Sequence, residues 1–316
     1  VSAEQSFDDD PLRMLRAARF ASQLGFDVDL EVMEAMEQMA QRLEIVSAER
    51  IRAELERLLL SPYPRRGLEL LVHTGICDIV LPEVSALQDT VDEHRRHKDV
   101  YEHTLTVLQQ AMDLETGPDG DVPGPDLRLR LAALMHDIGK PATRRFMPDG
   151  TVTFHAHDYV GARMTAKRMR ALHFDKQTIK DVSRLVELHL RFHGYADSPW
   201  SDSAVRRYVT DAGPLLARLG CLTRADVTTG NRRKAAMLSH AYDDLERRIE
   251  ALREQEELAS IRPELDGQEI MAELGIKPGP EVGKAYKFLL DLRMERGPIG
   301  KELAREALHS WWATQQ

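Results

Sequence analysis

Apolar residues recur at spacings of three and four along most of this chain, which is the pattern of amphipathic helices. The first such stretch begins where Pro11 follows three aspartates, and Leu12, Leu15 and Ala18 continue it as one apolar stripe. Gly25 then supplies a helix stop, because glycine readily adopts the left-handed backbone that ends many helices. The same pattern over the remaining sequence predicts an all-α fold.

The other predicted elements follow from apolar spacing and from the residues that interrupt it. Helices are predicted over 30–43, from a Ser47 cap to residue 59, over 67–73, within 75–87, from residue 101, and over 127–135, 159–172, 176–192, 202–210, 215–228 and 232–261. Residues 116–126 are rich in glycine and proline and predict a surface loop. Residues 144–154 place Pro148-Asp149-Gly150 between two short alternating runs, which predicts one small β-hairpin.

The composition is that of a soluble globular chain. Its 316 residues, 42% hydrophobic and 30% charged, allow two or three domains with ample cores. A net charge of -9 argues against indiscriminate nucleic-acid binding but is compatible with a local basic face. Two cysteines in apolar stretches, Cys77 and Cys221, cannot form a disulfide framework and predict a reducing, cytoplasmic location. No apolar run approaches membrane-spanning length, so we predict no membrane contact.

The adjacent pair His136 and Asp137, directly after the apolar run 127–135, is the strongest candidate for chemistry. An imidazole and a carboxylate can ligate one divalent ion when further ligands arrive from other helices. Side chains of suitable type stand in separate predicted segments: His103, His157, His189 and Asp226. A capped helix end with a solvated charge is the alternative for an isolated pair, but this order favours a metal site. The neighbouring His155 is expected to be an exposed residue at the end of the hairpin.

This order of residues resembles the HD-domain superfamily of metal-dependent phosphohydrolases, and Met135-His136-Asp137-Ile138-Gly139-Lys140 is similar to its central motif. The resemblance implies shared metal ligands at His103, His136, Asp137 and Asp226. It implies that His157 and His189 hold a second metal or contact the substrate phosphate. Lys140 could neutralise phosphate charge, with a solvent-facing lysine as the alternative. Imidazole and carboxylate ligands do not discriminate among Mg, Mn, Fe, Co and Ni.

Asp9-Asp10-Pro11-Leu12-Arg13 and residues 49–55 each resemble a motif in the neck of CCA-adding enzymes and bacterial poly(A) polymerases. Asp9-Asp10-Pro11-Leu12-Arg13 is similar to an acidic-Asp-x-x-Arg motif, and 49–55 is similar to the neck motif that follows it. The resemblance implies that Asp10 and Arg13 face the incoming CTP or ATP, a role suited to a carboxylate and a guanidinium fork. It implies that Arg50 and Glu54 support this templating helix. Helix-surface ion pairs are the alternative for all four residues.

The segment after Pro263 contains Gly275-Ile276-Lys277-Pro278-Gly279-Pro280-Glu281-Val282-Gly283-Lys284, which resembles an element near the C-terminus of bacterial class II tRNA nucleotidyltransferases. A basic series stands in and after it: Lys277, Lys284, Lys287, Arg293 and Arg296. We expect these residues to contact tRNA phosphates, with a salt-sensitive affinity. A solvated helix face is the alternative.

Together the resemblances cover nearly the whole chain and imply three domains: a neck and body over 1–90, an HD-domain helical bundle over 91–240, and a connector helix with a tail over 241–316. They imply the C-terminal portion of a tRNA CCA nucleotidyltransferase of the actinobacterial type. Its partners would be tRNA and nucleotides, with ATP and CTP as substrates of the full-length enzyme, and a homodimer stays open.

The expected division of labour depends on the family's N-terminal head, which carries a Gly-Ser turn and Asp-x-Asp carboxylates that hold Mg. No stretch of this sequence carries that pair of motifs, and the chain opens at Val1 without a methionine. We therefore expect part of a longer enzyme, without nucleotidyl transfer from this chain alone. The alternatives are an independent HD phosphohydrolase acting on nucleotides and a tRNA-binding scaffold without metal.

Overall fold

The computed structural model describes residues 2–88, 90, 99–149, 151–195, 198, 200–228, 231–256 and 261–315. These residues form helices and a single two-stranded hairpin, so the predicted all-α class is confirmed. The chain divides into two compact units, Val1–Phe192 with Leu215–Ala236, and His193–Pro214 with Met237–Gln316. No helix within the described ranges is both long and apolar enough to cross a membrane.

Seven helices precede the metal-ligand segments. They are α1 (Ala3–Asp9), α2 (Leu12–Leu24), α3 (Leu30–Met39), α4 (Ala48–Leu59), α5 (Pro64–His73), α6 (Ile76–Val80) and α7 (Pro82–Ser85), with a 3-10 turn at Ala40–Ile45. Gly25 ends α2 at φ 68°, as its left-handed preference predicts. Gly67 lets α5 approach α2 closely, because a Cβ there would lie 2.2 Å from Ser22 Oγ and 2.7 Å from the Ala18 carbonyl oxygen.

The next elements carry the candidate ligands. They are α8 (Val100–Asp113), α9 (Leu127–Met135), α10 (Lys140–Thr143), β1 (Arg145–Phe146), β2 (Val152–Thr153), α11 (His157–Ala171), α12 (Lys176–Leu188) and α14 (Leu216–Ala225). Strands β1 and β2 are antiparallel, which confirms the predicted hairpin, although Gly150 of its turn lies outside the described residues. Helices α8, α9, α12 and α14 pack against one another, and α11 packs on α12.

A buried arginine joins the ligand-bearing helices to the preceding ones. Arg130 of α9 is 5% exposed and pairs with Glu115 at 2.7 Å. Its Nη1 donates to the carbonyl oxygens of Leu59 and Ser61, at 2.7 and 2.8 Å, where α4 ends. Because a buried guanidinium without partners would be costly, this arrangement fixes α9 against the end of α4.

The second unit contains α13 (Asp202–Ala212), α16 (Gly267–Leu274), α17 (Pro280–Arg296), α18 (Lys301–Ala313) and most of α15 (Arg232–Glu256). Its C-terminal helices enclose a small apolar core: Leu265, Ile270, Ala285, Leu289, Ala304 and Leu308. The rings of Phe288 and Trp311 stack at the edge of this core, 4.9 Å apart. The end of the long helix predicted to residue 261 lies outside the described residues, which stop at 256 and resume at 261.

The two units do not follow the three predicted domains. The predicted neck and body share the first unit with most of the HD segment, and residues 193–214, predicted within the HD domain, group with the tail. The physical reason is that α13 packs on α17, where Arg206 of α13 donates to the Met294 carbonyl oxygen at 3.0 Å. The division into three functional domains stays a prediction.

Candidate metal centre

Six side chains of metal-ligand type converge from five segments of the first unit. His103 lies in α8, and His157 is the first residue of α11. The other ligands cluster at helix C-termini: His136 directly follows α9 and precedes Asp137, His189 follows α12, and Asp226 follows α14. Because C-terminal carbonyl groups carry partial negative charge, three helix ends at one site favour a cation.

One set of ligand atoms is formed by His103, His136 and Asp226, which all lie within 4.8 Å of one another. The Nε2 atom of His103 is 3.0 Å from Asp226 Oδ1 and 3.3 Å from His136 Nε2. His136 Nε2 is 3.5 Å from the same Asp226 oxygen. Two imidazoles and one carboxylate therefore face a common point.

A second set joins Asp137, His157 and His189, again within 4.8 Å. Asp137 Oδ1 is 3.3 Å from His157 Nε2, whereas Asp137 Oδ2 is 3.3 Å from His136 Nε2 in the first set. The ring centroids of His157 and His189 are 5.3 Å apart. Asp137 thus presents one carboxylate oxygen to each set, which is the placement of a ligand able to bridge two ions.

Three of the histidines are oriented by the backbone. In each, Nδ1 lies within hydrogen-bond distance of the carbonyl oxygen three residues earlier. A carbonyl oxygen can only accept, so Nδ1 carries a proton, and in the neutral form that ligates a metal Nε2 keeps its lone pair toward the cluster. The pairs are His136 with Ala133 at 2.8 Å, His157 with Phe154 at 2.8 Å, and His189 with Val186 at 2.6 Å.

The residues present fit a divalent metal. Within the described part of the chain, the buried Nε2 atoms of His157 and His189 have no hydrogen-bond partner. A buried polar atom without a partner is costly, and a metal ion would supply one. Imidazole nitrogen and carboxylate oxygen together suit Mn, Fe, Co, Ni or Zn, and Asp137 and Asp226 would supply carboxylate oxygens of the kind that Mg takes.

The charges of the cluster are balanced internally. Burial lowers the pKa of His136, but the Asp137 and Asp226 carboxylates outweigh this effect and raise it to about 10. Burial raises the pKa of Asp137, but the positive charges of His136 and Lys140 hold it well below its usual range. Burial and the charge of His136 lower the pKa of His189 to about 4. When no ion is bound, the cluster therefore keeps its carboxylates ionised and His189 neutral.

Lys140 is a buried member of the cluster. It is 6% exposed, and its Nζ lies 2.9 Å from Asp137 Oδ2. The alternative of a solvent-facing lysine is therefore wrong, because α10 turns the side chain inward one turn after Asp137. His155, by contrast, is exposed as expected and belongs to neither ligand set.

Two further contacts hold the ligand helices in place. Asp126 caps α9, accepting from the Leu129 amide at 2.8 Å, and it pairs with Arg218 of α14 at 2.7 Å. Gly139 permits a close approach of α10 to α11, because a Cβ there would lie 2.2 Å from the His157 carbonyl oxygen and 2.7 Å from the Gly161 amide nitrogen. Neither contact was predicted from sequence, since both join segments far apart in the chain.

The predicted nucleotide-facing residues lie together in the first unit. Arg50 Nη2 is 3.2 Å from Asp10 Oδ1, which links α4 to the start of α2. Arg13 donates to the carbonyl oxygen and the hydroxyl of Ser6, both at 3.0 Å. Glu54 is 4% exposed, so its carboxylate is a buried support of these helices.

Sequence analysis missed two arginines of this group. Arg19 Nε lies 3.0 Å from Glu54 Oε2, and Arg16 lies 3.7 Å from the same carboxylate and 3.6 Å from Asp10. The available signal was that Arg13, Arg16 and Arg19 follow one another at intervals of three residues, because this spacing places them along one side of α2.

The tail residues have different surroundings. Lys277, Lys284, Lys287 and Arg296 are exposed, whereas Arg293 has a side chain only 12% exposed and lies 3.4 Å from Glu264 Oε1. Within the described residues, no ion pair joins the four exposed cations to a carboxylate. The basic surface therefore consists of those four residues, and Arg293 is engaged inside the tail.

Comparisons with known proteins define the class first. A family profile described as "HD domain" matches residues 100–231, which contain all six ligands, so the cluster is that of an HD-domain protein. A second profile, "Probable RNA and SrmB- binding site of polymerase A", matches residues 25–87.

The relatives then give the family. The chain is 35% identical to the A-adding tRNA nucleotidyltransferase of Deinococcus radiodurans, over 99% of this chain and 70% of that protein. It is 36% identical to the CC-adding tRNA nucleotidyltransferase of Thermus thermophilus, over 98% of this chain and 68% of that protein. The chain therefore belongs to the family of CCA-adding tRNA nucleotidyltransferases, and it matches their C-terminal part, outside the N-terminal head.

A solved structure shows the same fold. The CCA-adding enzyme of Bacillus stearothermophilus in complex with CTP matches 100% of this chain with a TM-score of 0.60 at 17% identity. The match covers 65% of that enzyme's chain. The matches to the two relatives cover 99% and 98% of this chain and therefore include the neck-like and tail helices as well as the HD segment.

Proposed function

We propose that this chain selects nucleotides and binds tRNA for a CCA-adding enzyme, and that its HD domain is a metal-dependent phosphohydrolase. The observation that supports the second activity most directly is the pair of adjoining ligand sets, with one oxygen of Asp137 facing each. Two divalent ions held by these sets would stabilise the attacking and leaving oxygens of a phosphoester during hydrolysis.

The metal shell would consist of His103, His136, Asp137, Asp226, His157 and His189. A divalent ion held by these residues would supply a Lewis acid for a phosphoryl oxygen and a water of lowered pKa. The chain's own contribution is to fix the donors, since the backbone carbonyls set the tautomers of His136, His157 and His189.

Lys140 has a positioning role in this proposal. Its ammonium lies against the same Asp137 oxygen that faces His136, so it steadies the bridging carboxylate and adds positive charge where a phosphate would enter. We therefore assign Lys140 to positioning the Asp137 carboxylate, in place of the direct contact with phosphate expected from the sequence. His136 and Asp137 remain the residues assigned closest to the reacting phosphate.

Nucleotide selection would involve Asp10 and Arg13. Arg50 holds the Asp10 carboxylate at 3.2 Å, and the buried Glu54 holds α2 through Arg19. Fixed partners leave a carboxylate and a guanidinium less free to rotate, which suits recognition of the hydrogen-bonding edge of CTP or ATP. Transfer itself would require the head that lies outside this chain's match.

The hydrolase proposal is tested by metal content and activity together. The chain purified without chelator should contain one or two equivalents of divalent metal and hydrolyse 2′,3′-cyclic nucleotides or small phosphomonoesters. Asp137→Asn should weaken metal binding and activity by about 100-fold, because the amide has no negative charge and can offer only one of the two sets an oxygen. Asp113→Asn, on the exposed end of α8, is the matched control and should retain both.

Three results would contradict the proposal. If Asp137→Asn contained as much metal as the unsubstituted chain, the assignment of Asp137 as a metal ligand would be wrong. Absence of hydrolysis with Mg, Mn, Co and Ni, in a protein that holds metal, would support a tRNA-binding scaffold instead. Incorporation of labelled ATP into tRNA by this chain alone would contradict the division between selection and transfer.

A further inference from the structure

His103 is held differently from the other three ligand histidines. In those three, Nδ1 lies against the carbonyl oxygen three residues earlier in the chain. In His103, Nδ1 lies 3.2 Å from the hydroxyl oxygen of Thr228, which is 125 residues further along the chain. Thr228 follows the ligand Asp226 by two residues and has no role in the ligand sets described above.

The position of His103 inside a helix explains this difference. The last four carbonyl oxygens of a helix lack an intrahelical partner, so those at the ends of α9 and α12 are available to a side chain. The carbonyl oxygen three residues before His103 belongs to Val100, the first residue of α8. Carbonyl oxygens at the start of a helix accept from amides four residues later. A ring nitrogen at this position is therefore better served by a group from another element.

The turn after α14 contacts both nitrogens of the His103 ring. Asp226 directly follows this helix, and its Oδ1 lies 3.0 Å from His103 Nε2. The amide of Val227 donates to the Arg224 carbonyl oxygen at 3.3 Å, which continues the last turn of the helix up to Thr228. A carboxylate and a hydroxyl on one short segment therefore face opposite sides of the same ring.

The hydroxyl of Thr228 can donate a hydrogen bond as well as accept one, which a carbonyl oxygen cannot do. When Nε2 of His103 ligates a metal, Nδ1 carries the proton and donates to Thr228. When no metal is bound, Nε2 can carry the proton and donate to Asp226 Oδ1, while Thr228 donates to Nδ1. The hydroxyl therefore serves the ring in either tautomer.

Burial of the ring makes this contact consequential. His103 is 7% exposed, so water cannot readily take the place of the hydroxyl beside Nδ1. A ligand whose second nitrogen has a fixed partner is held in one orientation, and loss of such a partner commonly weakens metal binding.

We propose that Thr228 is a positioning residue of the metal centre, which orients the His103 ring and accepts its Nδ1 proton when Nε2 ligates an ion. The proposal rests on the metal-dependent function proposed above and deepens it, because the segment after α14 then supplies one ligand and the group that orients another. The alternative is a threonine that only packs against the ring.

The affinity for metal is measured by titrating the chelator-treated chain with Co(II), whose visible absorption reports binding directly. Thr228→Val removes the hydroxyl with little change in shape and should weaken Co(II) binding about tenfold. Thr228→Ser returns a hydroxyl and should restore the affinity. Thr106→Val is the matched control, because this threonine lies in the same helix as His103 but bonds the Glu102 carbonyl oxygen of that helix at 2.9 Å. Its affinity should be unchanged.

The ring proton of His103 provides a readout that depends on neither activity nor affinity. In the Zn-loaded chain with isotope-labelled histidines, this Nδ1 proton should exchange slowly with water, because it is buried and bonded. It should exchange faster in Thr228→Val and stay slow in Thr228→Ser and Thr106→Val. In the chelated chain, the ring nitrogen resonances of His103 should shift in Thr228→Val alone. The signals are assigned by their absence in His103→Asn.

The outcomes separate the two proposals. If the unsubstituted chain binds neither Co(II) nor Zn(II), the metal function is wrong, and the resonances of the chelated chain then decide the contact by itself. If metal binds but Thr228→Val keeps both the affinity and the slow proton, the inference is overturned. A loss in Thr228→Val that Thr228→Ser does not restore would assign the effect to shape and would also overturn it. Loss with valine and recovery with serine supports it.

Discussion

The metal cluster and the tail surface use charged side chains in opposite ways. In the cluster, Lys140 and Asp137 are buried and lie 2.9 Å apart, and each charge depends on its neighbours. On the tail, Lys277, Lys284 and Lys287 stand in solvent, where isolated charges contribute little to stability. Loss of a single contact should therefore disrupt the whole cluster. The tRNA affinity of the tail, by contrast, should fall in proportion to the number of charges removed.

The largest difference is expected when Asp137→Ala is compared with a tail variant. Removing this carboxylate leaves His136 and Lys140 buried without their shared counter-ion, which should cost about 3–5 kcal/mol in the free energy of unfolding. Urea denaturation of the chelated protein measures it. Lys287→Ala, measured in the same way, should change stability by less than about 0.5 kcal/mol. Equal effects would mean that the cluster is not internally balanced.

The second test changes the packing around the cluster without changing its charge. Gly139→Ala places a methyl group against the His157 backbone, so α10 and α11 must separate. We expect a loss of about 1–3 kcal/mol and a weaker metal affinity, because His157 moves away from Asp137. Gly220→Ala in α14 is the matched control, since nothing lies within 4 Å of the added carbon. A metal affinity unchanged in both variants would exclude this close approach as a determinant of the site.

The tail is tested by counting charges. The triple variant Lys277→Gln, Lys284→Gln and Lys287→Gln should weaken tRNA binding about tenfold at low salt and lower the salt slope by up to about 2.7, because each duplex phosphate contact contributes about 0.9. Arg293→Gln should leave the slope unchanged and destabilise the tail, since Arg293 lies against Glu264. The affinity and its salt slope are measured by gel shift with tRNA and with unstructured RNA of equal length. An unaltered salt slope in the triple variant would show that tRNA does not bind to this surface.

The smallest expected effect is a pH dependence confined to the cluster. His189 has its pKa lowered to about 4, so the unfolded chain binds a proton more readily, and stability falls as the pH drops below about 6.5. Between pH 6 and pH 5 the loss should be about 1 kcal/mol in chelated protein. His136, with its pKa raised to about 10, contributes nearly constant stability in this window. His189→Asn should flatten the profile, and a profile unchanged by that substitution would contradict a buried neutral His189.

The same contrast shows what could be predicted from the sequence. The helices and the hairpin followed from local spacing, and the cluster residues followed from the His136-Asp137 pair and the order of the other ligands. Sequence did not reveal which Asp137 oxygen faces which set, or that Lys140 turns inward, because these depend on how α10 and α11 meet. The grouping of α13 with the tail and the pairing of Arg293 with Glu264 are also long-range contacts without a local pattern.

The buried guanidinium of Arg130 couples the local unfolding of α4 to that of α9. Because it bonds to the last carbonyls of α4 and lies in the helix that leads to His136, neither end can unwind without removing two hydrogen bonds from a buried guanidinium. The segment that carries Arg50 and the segment that carries the metal ligands should therefore exchange their amide hydrogens as one cooperative block. Fluctuations that open one of these segments should therefore open the other, so α4 and α9 behave as a single unit in the native dynamics.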